Sequence, residues 1–186
     1  MYLTEKIYLH PIAPYRYDTA RVAVPTVGDY STVRFDRNEY SVPVRFLRKS
    51  VTVKGYANKV VIICDADMIV TYERLSGQGK TAYKLEHYIG LLERKPRSVF
   101  QAKPVRQTIK KEILELGKQL PGGNKDMVRL LRMCVDHGEN RVLLAKSCIP
   151  AGITPTVDII RSYLEEPEKI TAISFPSEVH ITSTNL

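Results

Sequence analysis

The stretch "STVRFDRNEYSVP", Ser31 to Pro43, decides how the chain is read. Val33 and Phe35 alternate with Thr32 and Arg34, the period-two pattern of a half-buried strand. "DRNE", Asp36 to Glu39, is a turn cluster, after which Tyr40 and Val42 resume an extended run on one face. A β-hairpin is expected. "VTVKGYA", Val51 to Ala57, alternates again, with a turn expected at Asn58-Lys59. "VVIIC" is apolar enough to be a central strand, and "DAD", Asp65 to Asp67, turns the chain back into "MIVTYERL". Five short strands joined by tight turns describe a small antiparallel β-barrel of the SH3 kind. Gly55 would suit the sharp bend that such a barrel needs.

Downstream the period becomes helical. "LEHYIGLLERK" puts Leu85, Tyr88, Ile89 and Leu92 on one face and ends at Pro96. "PVRQTIKKEILELGKQL", from Pro104, carries the stripe Val105, Ile109, Ile113, Leu116 and Leu120, expected on one continuous helix. Asn124 is expected to cap the next helix, which buries Met127, Leu130, Leu131 and Cys134 and stops at Gly138. A shorter helix with Val142, Ala145 and Ile149 on a face follows. A last one has Thr154 as its cap and Pro155 at its first position. The expected fold is α+β: a small SH3-like antiparallel barrel followed by a compact helical domain. Its parts are a linker or arm over 1–25, the barrel over 26–76, a connection with a helix over 77–103, the helical domain over 104–165 and a loosely ordered tail over 166–186.

The chain has 186 residues, 44% hydrophobic and 26% charged, which is enough to bury a core. No apolar run approaches the roughly 18 residues of a membrane span, and the N-terminus lacks a signal-peptide apolar segment. Cys64, Cys134 and Cys148 have no paired spacing, and the expected location is the bacterial cytoplasm. The net charge of +8 is unevenly placed. Residues 21–60 hold eight Lys or Arg against three acidic residues, and residues 74–111 hold ten against two. Such a concentration points to a polyanion, most often nucleic acid.

Catalytic motifs are weak by comparison. "SGQGKT", Ser76 to Thr81, imitates the end of a phosphate-cradling loop, but Arg74 stands where the opening glycine belongs. The strand "VVIICD" also precedes it, whereas the magnesium-binding strand of that fold comes after. Asp65 and Asp67 are explained by turn geometry. Cys134 and His137 have ligand spacing without a second pair. His10, His87 and His180 are isolated. No catalytic residue, metal ligand or cofactor is assigned.

The basic residues carry more. Arg34 and Arg37 flank the first hairpin turn, Arg45, Arg48 and Lys49 cluster in "VRFLRKS", and Lys54 and Lys59 bracket the next turn. Tyr30, Tyr40 and Tyr56 interleave with them, Tyr40 being also a candidate for the core. Lys80, Lys84, Arg94 and Lys95 would extend the surface, whereas Lys110-Lys111 reads as a solvated helix face. The expected DNA-contacting set is therefore Arg34, Arg37, Tyr40, Arg45, Arg48, Lys49, Lys54, Lys59, Lys80, Lys84, Arg94 and Lys95.

The segments "VRFDRNEYSVP", "VTVKGYANKVVII" and "SGQGKTAYKLEHYIGLLERKP" together resemble the C-terminal portion of IstA-type insertion-sequence transposases, of the Mu and retroviral-integrase superfamily. "GNKDMVRLLRMCVDHGENRVLLA" is similar to the same family's tail more loosely. The resemblance implies a non-catalytic piece whose Asp-Asp-Glu catalytic domain would lie upstream of Met1. It also implies binding of double-stranded transposon-end DNA, contact with other transposase subunits in a synaptic complex, and contact with an IstB-like AAA+ ATPase. A pure interaction module for multimerisation or ATPase binding, without DNA contact, is the alternative.

Overall fold

A computed structural model describes residues 18–65 and 68–165. The expected tail, most of the expected arm, and His10, Asp67 and His180 lie outside these residues.

The hairpin forms as its residues dictate. Strand β2 (Thr32–Phe35) pairs antiparallel with β3 (Asn38–Ser41), Phe35 opposite Asn38, leaving a two-residue turn. That turn, Asp36-Arg37, has φ of 47° and 63°, the left-handed pair that matches the twist of a hairpin. Val33, Phe35, Tyr40 and Val42 point into the core and Arg34 outward. Strands β4 (Thr52–Gly55), β5 (Lys59–Asp65) and β6 (Met68–Glu73) form a second antiparallel set with β5 central.

The chain is α+β as expected, but the five expected strands of the small SH3-like antiparallel barrel do not close into one barrel and lie in two sheets. Two further strands are present: β1 (Arg21–Ala23), inside the expected arm, and β7 (Thr81–Ala82), inside the expected connection. β1 takes the free edge of β4, making the sheet β1-β4-β5-β6. β7 takes the free edge of β3 and runs parallel to it, making β2-β3-β7. With those edges filled, no ladder among the described residues joins the two sheets. Side chains join them instead, around a shared core of residues such as Val33, Phe35, Val53, Ile62 and Tyr72. The Tyr72 hydroxyl on β6 donates to the Ser41 carbonyl on β3 at 2.5 Å, and the Leu75 amide donates to the Tyr40 hydroxyl at 3.1 Å.

Gly55 has a different use from the expected bend. A Cβ on it would overlap the ring of Phe35 on the other sheet, so glycine is what lets the sheets approach there.

The remainder is helical: α1 (Ile89–Arg94), α2 (Lys103–Thr108), α3 (Lys111–Gln119), α4 (Asn124–His137), α5 (Glu139–Ser147) and α6 (Val157–Glu165). Short 3-10 turns at Leu85–His87 and Pro96–Gln101 flank α1. A second apolar core, from Leu85 to Leu164, is built around the fully buried Met127, Leu130 and Leu131 of α4.

Three local expectations are corrected here. The stripe from Val105 to Leu120 is buried as expected, but on two helices, because Ile109 and Lys110 are extended. The Glu139 carboxylate accepts the Lys110 amide at 3.1 Å and Asn140 accepts the Lys110 ammonium, so the break is satisfied from α5. Asn124 is the first helical residue of α4 and not its cap. Gly123, at φ 58°, takes the cap position, and the Asp126 carboxylate accepts the Gly122 amide at 2.9 Å. The cap of α6 is Thr156, whose hydroxyl accepts the Ile159 amide at 3.3 Å, in place of Thr154.

Candidate nucleic-acid interface

The Asp36-Arg37 turn is the focus of positive charge in the sheet region. Asp36 bonds Arg21 of β1 at 2.7 Å and Arg74, just beyond β6, at 2.5 Å. Arg74 also donates to the Tyr56 carbonyl at 2.7 Å, which fixes its guanidinium between two segments. A cleft beside the turn is lined by Arg21, Asp36, Arg37, Gly77 and Gln78.

The "SGQGKT" segment forms the far wall of this cleft, and it is pinned rather than a loose exit. The buried Asn38 side chain donates to the carbonyls of Leu75 (3.3 Å) and Gly77 (2.9 Å) and accepts the Lys80 amide (3.0 Å). Backbone bonds from Gly79 to Arg37 and from Glu39 to Lys80 add to the hold. Gly77 and Gly79 both have positive φ, which lets the loop turn back on the hairpin. The Lys80 side chain folds over Gly77, its ammonium about 4.0 Å from where a Cβ would stand. The loop leads into strand β7 and not into a helix, so it lacks the helix N-terminus that a phosphate cradle uses. Arg21 and Arg74 thus share one carboxylate, with Arg37 lining the cleft beside them and Lys80 over the loop at Gly77.

Sequence reading found Arg37 and Lys80 but missed Arg21 and Arg74. No local signal could have found them. Their partner Asp36 is 15 and 38 residues away, and only the sheet pairing brings the three together.

The other expected residues divide. Tyr40 is corrected out of the set, because it is 1% exposed, packs 5.4 Å from the Tyr72 ring and holds the Leu75 amide. Arg45 and Lys49 both lie over the Phe46 ring, at 4.9 and 5.6 Å. Arg45 and Lys84 line one groove with Pro43, Ile69, Glu86 and His87. Lys84 is half-buried, lies 5.3 Å from the Tyr72 ring and is 3.9 Å from Glu86. Arg48 pairs with Asp29 at 3.2 Å and Lys54 with Asp18 at 2.8 Å. Lys54 and the Ala20 amide hold the Asp18 carboxyl below its usual range. Lys59 lies 5.2 Å from the Tyr56 ring, and Arg34 is exposed in register with Glu39. Arg94 and Lys95 are exposed at the end of α1, away from the hairpin in sequence and on the helical part.

Groups suited to catalysis are damped by burial. Desolvation, with Glu139 second, pushes the Cys134 thiol up to about 12, and His137 three residues on is exposed. Burial, then Asp65, raises the Cys64 thiol as well. Among the described residues no group of three or more His, Cys, Asp or Glu is arranged to hold a metal ion, and no helix is long and apolar enough to cross a membrane.

The family described as "Mu transposase, C-terminal domain" matches residues 12–84, the hairpin, both sheets and the cleft included. The similarity to transposases runs further along the chain. It is 27% identical over 165 residues to the "Transposase for insertion sequences IS1326/IS1353" of Pseudomonas aeruginosa, covering 83% of this chain and 32% of the relative. The protein of that description in Shigella flexneri matches equally. A "Transposase" of Aminobacter aminovorans is 28% identical over 124 residues, 61% of this chain and 24% of its own. The chain spans about a third or less of the length of these curated relatives. No solved structure matches it significantly. A transposase C-terminal region, first read from "VRFDRNEYSVP", is thus supported by the family match and by the relatives.

Proposed function

We propose that this region binds duplex DNA through its phosphate backbone and holds it for a catalytic centre carried elsewhere in a longer transposase. The observation that carries the reading is the gathering of cations at the hairpin turn, where Arg21 and Arg74 meet on Asp36, Arg37 lines the cleft and Lys80 lies over the pinned loop at Gly77. Arg21 and Arg74 are committed to Asp36, which leaves Arg37 and Lys80, with no acidic partner among the described residues, as the cations available to a phosphate. The Asn38 bonds keep the loop and hairpin at fixed separation, so the cations are presented together. Contacts of this kind position DNA without reading its bases, so binding is largely sequence-tolerant. The DNA is proposed to be transposon-end duplex, engaged within a multimeric synaptic complex. The remaining expected contacts, Arg34, Arg45, Arg48, Lys49, Lys54, Lys59, Lys84, Arg94 and Lys95, are proposed to flank this anchor.

The test is binding of a duplex of about 30 base pairs, followed by fluorescence anisotropy between roughly 50 and 200 mM salt. Wild type should lose affinity steeply over that range, and Arg37→Ala with Lys80→Ala should weaken binding about tenfold with the fold intact. Salt-independent affinity would overturn the reading, and an unaffected double variant would remove the Asp36 cleft from it.

Exposed apolar side chains favour a second role in protein contact. Val22 and Ile69 on the edge strands β1 and β6, and Leu144 on α5, are 55%, 60% and 42% exposed. The proposed partners are sister subunits and an IstB-like ATPase. Replacing Arg45, Arg48 and Lys49 by alanine separates the roles. Lost DNA binding favours the first, and retained DNA binding with lost multimerisation favours the second.

A further inference from the structure

We infer that the corner formed by the 3-10 turn Pro96–Gln101 and helix α2 is a second phosphate-contact surface for duplex DNA, additional to the Asp36 cleft. The inference rests on the DNA-binding reading above. Its ground is a run of cations with no acidic partner among the described residues. In the sheet region, Arg21, Arg48, Lys54 and Arg74 each bond an aspartate. A cation so held must share or break its pair before it can neutralise a phosphate. In the helical region, Lys95, Arg97, Lys103, Arg106 and Lys111 are all exposed. Among the described residues none of these five side chains makes a hydrogen bond, an ion pair or a ring contact. Each is free to replace a counterion on DNA, and counterion release scales with the number of phosphates neutralised.

The packing explains why these charges face outward. Val99 of the turn and Val105 of α2 are both 0% exposed and belong to the helical core. The turn packs on both α2 and α4, so its apolar side is used up by the core. Lys103 and Arg106 are three apart on α2, hence neighbours on one face.

The composition of the surface selects the ligand. The other exposed residues between Lys95 and Lys111 include Ser98, Gln101 and Gln107, all able to donate to phosphate oxygens. None of the exposed large hydrophobic residues falls in this span. A protein-binding surface needs an apolar or aromatic centre that excludes water, whereas a surface for the DNA backbone is polar, wet and cationic. An acidic protein is therefore the poorer fit.

The experiment compares wild type with Arg97→Ala/Lys103→Ala/Arg106→Ala in the same chain, on the same duplex of about 30 base pairs. The three side chains have no partners among the described residues, so the thermal unfolding curve should not move. The slope of log Kobs against log salt should become shallower by about 2 to 3, with at least about tenfold lower affinity near 100 mM salt. Restoring charge with Arg97→Lys/Arg106→Lys, Lys103 left in place, should return the slope to the wild-type value. An unchanged slope and affinity in the triple variant overturns the inference, even if that variant loses an acidic protein partner. If wild type binds no DNA at low salt, the DNA reading itself falls and this inference with it. If Arg37→Ala/Lys80→Ala has no effect while the triple variant does, the Asp36 cleft falls and the helical surface stands.

Discussion

The Ser41 hydroxyl lies 2.8 Å from Nδ1 of His87, tying strand β3 to the 3-10 turn that opens the helical region. Ser41 also accepts the Lys84 amide at 2.9 Å and takes the Tyr72 hydroxyl on its carbonyl. The single Ser41 hydroxyl proton has two acceptors at 2.8 Å, the Tyr72 oxygen and Nδ1, and either tautomer of the neutral ring satisfies the network.

That arrangement predicts a pH dependence. Burial, with Lys84 second, lowers the His87 pKa from 6.5 to about 4. Glu86, 3.8 Å from Nε2, would favour the charged ring, but its carboxylate is exposed and screened. Between about 4 and 6.5 the unfolded chain binds the proton and the folded chain does not. Stability from this group is therefore fully present above pH 6.5, falls as the pH drops, and levels off below about 4. The total is up to roughly 3 kcal/mol. Urea unfolding at several pH values checks it, and His87→Gln should flatten that stretch of the curve.

Asn38 is expected to be the most costly polar residue of the sheets to remove. Asn38→Ala would leave the Leu75 and Gly77 carbonyls and the Lys80 amide without their side-chain partner. The expected loss is about 1–3 kcal/mol. Hydrogen exchange should show faster amide exchange between Ser76 and Ala82, with β5 protected as before. Uniform loss of protection would mean that Asn38 supports the whole sheet and not the loop.

Two buried glycines should respond differently to alanine. At Gly55 the new methyl would meet the rigid ring of Phe35, and the expected cost is about 1–3 kcal/mol. At Gly117 it would meet the sulfur of Met127, a flexible side chain. Alanine there also gains helix propensity of up to about 1 kcal/mol, so Gly117→Ala should be near neutral. Thermal unfolding of the two variants ranks them, and Phe35→Leu should relieve Gly55→Ala.

Cations that are already paired should matter less for DNA than free ones. Lys54 is held by Asp18, whereas the Arg37 side chain lines the cleft with no such partner among the described residues. Lys54→Ala should change duplex affinity by less than about twofold, and Arg37→Ala by about three- to tenfold. Equal effects would show that ion pairs on this surface open at no cost.

The alternation of Val33, Phe35, Tyr40 and Val42 and the apolar stripes of the helices determined by themselves which faces are buried, because side-chain periodicity follows from backbone geometry. The same local rules found the hairpin turn and the helix stop at Gly138. Tertiary structure alone decided the rest. β1 and β7 are too short to carry a pattern, and they exist because β4 and β3 offer free edges. The break at Ile109-Lys110 is held by Glu139 and Asn140, from a different helix. The charge at the hairpin was legible as composition, but its gathering around Asp36 was not. Arg21 and Arg74 reach that carboxylate only through strand pairing, and long-range pairing leaves no trace in the spacing of a single sequence.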